Sequence, residues 1–307
     1  TSDAVVKDII SPQFTLPEGA NVSSITLETY RCTGKNGSDY TWSKNTDAMG
    51  AKASISGDQV NVTGFNFSEN YVGTVTENGS ISYRGNKLVI SFKVRPKAGF
   101  LGGNGVITNA SAGIYENSSA QTPVMTFEQP KVNVPIQDVT VTAEDKNVYL
   151  LGDVTADQLK DGATVKVGDV TLDLSKANQN YGLEPWQTAY VDITVRVKGK
   201  DGTVVSDKLE ALKEDTTYTV EVTVTPKTDG SGSTGAPATA KIGQNIPANI
   251  NVFKPELTFK DSQIDLGDTA VYEEQNHGTN FKVWKHGEST DEGVTMIGTK
   301  PELTLSY

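Results

Sequence analysis

Histidine and cysteine are scarce in this chain, whereas Asp and Glu together number 38. The histidines are His277 and His286, and the single cysteine is Cys32. The histidine spacing, with Glu273, Glu274 and Asp291 nearby, matches no zinc pattern, so both are read as surface residues. Neither a metal nor a cofactor is expected. No Ser-His-Asp or Cys-His constellation can be assembled. Scattered carboxylates are too common here to nominate a glycosidase pair, and no enzymatic activity is expected. Gly102-Gly103-Asn104-Gly105 lacks the lysine and helix start of a phosphate loop and reads as a tight corner. Trp42, Trp186 and Trp284 offer flat faces for stacking on sugar rings. One falls in each prospective unit, which suits partial core positions, and Trp42 and Trp186 are the ligand-binding candidates. Lys7 and Asp8 are neighbours on a strand and therefore face opposite sides. Val5 and Ile9 flank the lysine while Val6 and Ile10 flank the acid, so alternation does not choose which one points inward.

The elements that position these residues are read as strands. The 307 residues suffice for about two or three domains. Hydrophobic residues are 36% and aromatics 7%, which suits thin two-layer sandwiches better than one thick core. A net charge of -11 repels phosphate backbones and anionic lipid, so neither nucleic acid nor membrane is expected as a partner. With one cysteine, no intrachain disulfide can form. Several Asn-x-Ser/Thr triplets, such as Asn21-Val22-Ser23, are attributed to an Asn/Ser/Thr-rich loop surface. The chain carries neither an initiator Met nor a sorting signal and is expected to be part of a longer protein.

Alternating Val/Ile/Thr runs punctuated by Gly, Asn, Asp and Pro predict an all-β chain of tandem immunoglobulin-like sandwiches. The first is expected at 1–136, the second at 137–253, and a third, truncated or small unit is expected at 254–307. In the first, a polar loop carrying Trp42 is expected at 34–43, with hairpins about Gly57-Asp58 and Gly85-Asn86. In the second, Val191, Ile193, Val195 and Val197 alternate cleanly, as do Tyr218, Val220, Val222 and Val224. Thr155 and Asp157 are good caps for a single helical turn. The tract at 228–237 reads as the loop of a long hairpin. Leu151-Gly152-Asp153 recurs as Leu266-Gly267-Asp268, which supports modular construction.

The run VTGFNFSENYV from Val62, followed by GNKLVISF, FLGGNGV, SAGIY and VNVPI, resembles the isopeptide-forming, collagen-adhesin-type domains of Gram-positive sortase-assembled pilus adhesins. The resemblance covers about residues 1–136. It is looser over 137–307, towards repeat domains of large bacterial surface proteins. In such domains a neutral lysine amine attacks an asparagine amide beside a protonated carboxyl group, with loss of ammonia, and burial supplies both pKa shifts. The family order implies Asp8 as the acid, Asn133 as the acceptor and a lysine upstream of Thr1. The alternative is Lys7 as nucleophile and Asn133 as acceptor, with Glu69, Glu116 or Glu128 as the acid. A third reading leaves Lys7 and Asp8 solvated and pairs Asn133 with backbone. In the second unit the candidates are Lys146 or Lys166 with Asn249 or Asn251, although Asp192, Glu221 and Lys166 sit on polar faces.

The resemblance implies a stalk or scaffold fragment of a bacterial cell-surface adhesin or pilus protein, extracellular and wall-attached through another part. Its partners would be neighbouring domains of the same protein. A ligand-binding module for a host matrix protein or a glycan is the alternative, and non-catalytic accessory domains of a secreted glycan-degrading enzyme form a third reading.

Overall fold

Apolar/polar alternation dominates the chain, and the computed structural model is correspondingly all-β. It describes residues 3–255, 284–287, 289–290 and 294–302. The chain divides into two compact units.

Unit 1 comprises Thr1–Pro135 with Trp186–Tyr190 and Pro226–Ala238. Its strands are β1 (Val5–Ile10), β2 (Phe14–Thr15), β3 (Thr26–Asn36), β4 (Asp39–Lys44), β5 (Lys52–Ser56), β6 (Gln59–Thr63) and β7 (Gly73–Glu77). They continue with β8 (Ser80–Arg84), β9 (Asn86–Ser91), β10 (Arg95–Pro96), β11 (Gly103–Ile107), β12 (Asn109–Tyr115), β13 (Met125–Thr126) and β14 (Lys131–Val134). One antiparallel sheet has the order β13-β12-β1-β6-β5, and a second has the order β4-β3-β9. Their inner faces meet in one core. Val6 and Val62 of the larger sheet, with Phe65, pack with Leu27, Leu88 and Ile90 of the smaller one. A second cluster joins Ile10, Phe14, Phe100, Val106 and Val134, and Trp186 and Tyr190 pack against it. Cys32 of β3 is fully buried.

Two local expectations are corrected here. The segment expected as a polar loop is a hairpin, because β3 runs on to Asn36 and pairs with β4. The hairpin about Gly57-Asp58 forms as expected, but the one about Gly85-Asn86 does not. β8 pairs with β7, and β9 pairs with β3. Gly85 holds φ +103, and a Cβ there would lie 2.5 Å from the Tyr71 carbonyl oxygen. The glycine serves a close backbone crossing, not a two-residue turn.

Unit 2 comprises Ile136–Pro185, Val191–Thr225 and the described part of Thr239–Tyr307. Its elements are β15 (Val139–Thr142), β16 (Lys146–Tyr149), β17 (Val154–Thr155), α1 (Ala156–Lys160), β18 (Thr164–Val167), β19 (Val170–Leu172) and β20 (Val191–Gly199). β21 (Lys208–Leu209), β22 (Thr216–Pro226), β23 (Lys241–Gln244), β24 (Ala248–Pro255), β25 (Trp284–His286) and β26 (Ser289–Thr290) follow. A large sheet runs β20-β22-β24-β25-β26, with β16 parallel on β24 and β23 on β22. Tyr218, Val220, Val222 and Val224 are fully buried, as their alternation requires. The tract after β22 is a hairpin loop, since β22 and β23 pair antiparallel across it. The helical turn α1 is capped reciprocally: Thr155 Oγ1 accepts from Gln158 N–H and Gln158 Oε1 from Thr155 N–H. The Phe253–Lys254 junction lies inside β24, whose end pairs with β25. His277, the Leu266-Gly267-Asp268 echo and most of the expected third unit lie outside the described residues.

Candidate functional site

Val6, Asp8 and Ile10 share one face of β1, and the two apolar members are buried. Asp8 is thereby carried to the space between the two sheets of unit 1. It borders a cavity of 150 Å³ whose other walls are apolar, among them Val60 and Val62 from β6, Leu88 and Ile90 from β9, and Phe92 and Phe127. Asn109 Nδ2 donates to both carboxylate oxygens at 2.9 Å. Burial pushes the Asp8 carboxyl above the ordinary carboxylate range, and the Asn109 hydrogen bond opposes that shift only in part.

A β-bulge places Asn109. Asp8 faces Ala112, Ile9 faces Ser111 and Ile10 faces Asn109, so Ala110 is skipped. The extra residue turns Asn109 to the face that Ala112 occupies. Plain alternation from Ala112 would send Asn109 to the opposite side, and the resemblance had placed the acceptor at Asn133, so Asn109 was not a candidate in the sequence. The bulge was the missing signal.

Lys7 takes the other face of β1. Its Nζ donates to the Ala120 carbonyl at 2.7 Å and lies 4.6 Å from the Tyr115 ring centre. Asn133 is brought to neither Lys7 nor Asp8. Its Oδ1 accepts from Gly105 N–H at 3.0 Å, and its Nδ2 donates to the Gly230 and Gly235 carbonyls at 3.3 and 3.1 Å. The buried Asn104 works beside it, bonding Thr228 O and both backbone groups of Ala238. These two asparagines fix residues 226–238 of unit 1. The glycine-rich corner expected around Asn104 is therefore an anchor for that loop.

In unit 2, Lys146 is buried and its Nζ donates to the Asp161 carbonyl at 2.5 Å. Asn147, on the opposite face of β16, accepts from Asn251 Nδ2 at 3.1 Å. Asn249 is held by Asp145, with its backbone N–H 2.8 Å from Oδ1. Lys166 is exposed on β18 between Thr140 and Thr171. No lysine and asparagine among these four come together. The buried Tyr218 hydroxyl donates to the Glu144 carbonyl at 2.6 Å. Burial, with the Glu144 and Asp145 charges behind it, pushes the phenol up to about 12.

Trp42 lies on β4, half-buried, at 6.3 Å from the Tyr40 ring. Lys87 Nζ sits 4.5 Å from the Trp42 ring and 5.3 Å from that of Tyr30. Trp186 packs on the second apolar cluster of unit 1, with Lys97 Nζ 5.1 Å from its ring. Trp284 is buried against Tyr149. His286 Nε2 is 2.6 Å from Asp215 Oδ2. Burial raises the Asp215 carboxyl, but the Val252 N–H and His286 outweigh it and hold the group below the usual range. Among the described residues no cluster of three His, Cys, Asp or Glu side chains is placed to hold a metal ion, and no helix is long and apolar enough to cross a membrane. A shallow groove of 470 Å³ beside Pro17 and Phe92 carries Glu18 and Lys93, with no histidine or cysteine in its walls. No protein-family model matches this chain, and no curated protein matches it.

Proposed function

We propose that this chain is a load-bearing segment of a Gram-positive cell-surface adhesin or pilus stalk, and that unit 1 is its isopeptide-type sandwich module. The observation that supports this reading is the Asp8–Asn109 pair facing a mainly apolar inter-sheet cavity. An acid whose pKa is raised by burial, in contact with a carboxamide, is two thirds of the required chemistry.

The assignment moves the acceptor from Asn133 to Asn109. With Asp8 protonated and the amide turned over, the acid donates to Asn109 Oδ1 and polarises the carbonyl. A neutral lysine amine attacks Cγ, the C–N bond to the side-chain nitrogen breaks, and that nitrogen leaves as ammonia carrying the amine proton. One amide replaces another, with no oxidant or cofactor. Among the described residues no lysine or arginine is paired with Asp8, so this reading requires a lysine from outside them. A cross-link across the sheets would limit chain extension as a disulfide does.

The test is peptide mapping and intact mass of the full-length protein. The reading expects a mass about 17 Da below that of the sequence for each bond, a lysine joined to Asn109, and loss of the link in Asp8→Ala. An unmodified Asn109 peptide as the sole product would refute it.

A second reading rests on the outer face of β3, β4 and β9, where Tyr30, Tyr40 and Trp42 stand beside Lys87. Such a strip suits stacking on sugar rings. Glycan-array binding that disappears in Trp42→Ala would favour it, and unchanged binding would exclude this face.

A further inference from the structure

The two sheets of unit 1 are unequal, five strands against three, and β9 ends the smaller one. Among the described residues no strand pairs with its outer edge, where the one backbone bond is at its start, from Asn86 N–H to the Asn70 carbonyl at 2.9 Å. Edges of this kind are normally blunted by proline, bulges or inward charges. β9 reads Asn-Lys-Leu-Val-Ile-Ser and carries none of these, since Lys87 turns outward onto Trp42. Leu88, Ile90 and Phe92 face the cavity yet remain only half-buried. The opposing margin is equally bare: Val124, Met125 and Phe127 are 69%, 58% and 40% exposed. Both layers are thus uncovered on the same flank, where Phe127 and Ile90 line one cavity.

The cavity limits what can fill it. At 150 Å³ it is smaller than the roughly 300–1,000 Å³ of a small-molecule pocket and suits a single side chain. Its walls are apolar apart from one carboxyl group, whose side-chain hydrogen bonds both go to a neutral amide. A long apolar stem ending in a cation matches that lining. Lysine fits, whereas the planar arginine fork asks for a bidentate partner and more width.

We propose that the outer edge of β9 accepts an extended polypeptide strand with apolar side chains at alternate positions and one lysine inserted opposite Asp8. Main-chain hydrogen bonds to β9 supply affinity, the alternate apolar residues cover Leu88, Ile90 and Phe127, and the lysine sets the register. This partner rests on the reading of the Asp8–Asn109 site given above, but docking itself needs no covalent step.

The probe is a synthetic peptide of alternating valine and threonine with one central lysine, compared with the same peptide carrying norleucine there. Hydrogen exchange is followed over residues 86–91. The expected result is slowed exchange in β9 on adding the lysine peptide. Its binding should be about tenfold tighter than that of the norleucine peptide, the size of a charge-assisted hydrogen bond, and the preference should vanish in Asp8→Asn. Unchanged β9 exchange, equal binding of the two peptides, or β9 amides already as slow as those of β1 before any addition would each overturn the proposal. Mass separates this from the cross-link reading. Protection without loss of ammonia keeps the docking edge and removes the bond, whereas a linked Asn109 without β9 protection does the reverse.

Discussion

Asp8 is held in a place that favours its neutral form, and the sign of that preference can be measured. A carboxyl whose folded pKa lies above its unfolded value contributes stability below the unfolded pKa and loses it as pH rises through the folded one. At neutral pH the buried charge is a cost, softened because the group is partly hydrated. Asp8→Asn is therefore predicted to raise the melting temperature at about pH 7 and to have little effect near pH 3, below the ordinary aspartate pKa. Thermal unfolding of both proteins across that range checks it. A difference that grows towards acid would contradict the burial argument. At this scale the sequence was half informative. The Val/Ile flanks of Lys7 and Asp8 are symmetric, so the choice of inward residue needed the pairing of β1 with β12 and β6. Asn109 was not a candidate because the resemblance implied Asn133, and the bulge that turns Asn109 to the Asp8 face has no mark in the two-residue period.

At the scale of elements, legibility followed locality. The hairpin of β5 and β6, the capped turn α1 and the buried face of β22 all rest on patterns within a dozen residues, and all were readable. The parallel pairing of β16 with β24 joins segments about a hundred residues apart, and no local signal marks it. Gly85 shows the same limit. A glycine before asparagine between two strand-like runs reads as a turn, yet here it makes room for the backbone of Tyr71 and Val72. Gly85→Ala combines a positive φ with a Cβ inside backbone contact distance, and is predicted to cost about 1–3 kcal/mol. Gly57→Ala has the same sign of φ with nothing within 4 Å and should cost less. Urea unfolding of the two variants side by side tests the contrast, and equal losses would show that the close approach carries no weight.

For the whole molecule, the alternating runs were enough to give an all-β chain, but not which residues share a core. Trp186 and Tyr190 pack on the cluster of Phe14 and Phe100, with the Phe100 and Tyr190 rings edge to face at 6.2 Å. Residues 226–238 are tied down by Asn104 and Asn133. A chain ended after Ile136 lacks all of these partners. It is predicted to melt at lower temperature than unit 1 within residues 1–255, and to bind a hydrophobic dye that the longer chain excludes. Circular dichroism and dye fluorescence on the two lengths check this. Matching melts would mean that the sequential boundary suffices.

Cys32 gives the molecule an internal reporter. Its thiol lies fully buried in β3, the middle strand of the smaller sheet, and it is the single sulfhydryl in the chain. A maleimide offered to the intact protein should find nothing to label until that sheet peels apart. If this chain works as a tether, pulling on it in the presence of the reagent turns one covalent tag into a record of the load at which unit 1 yields.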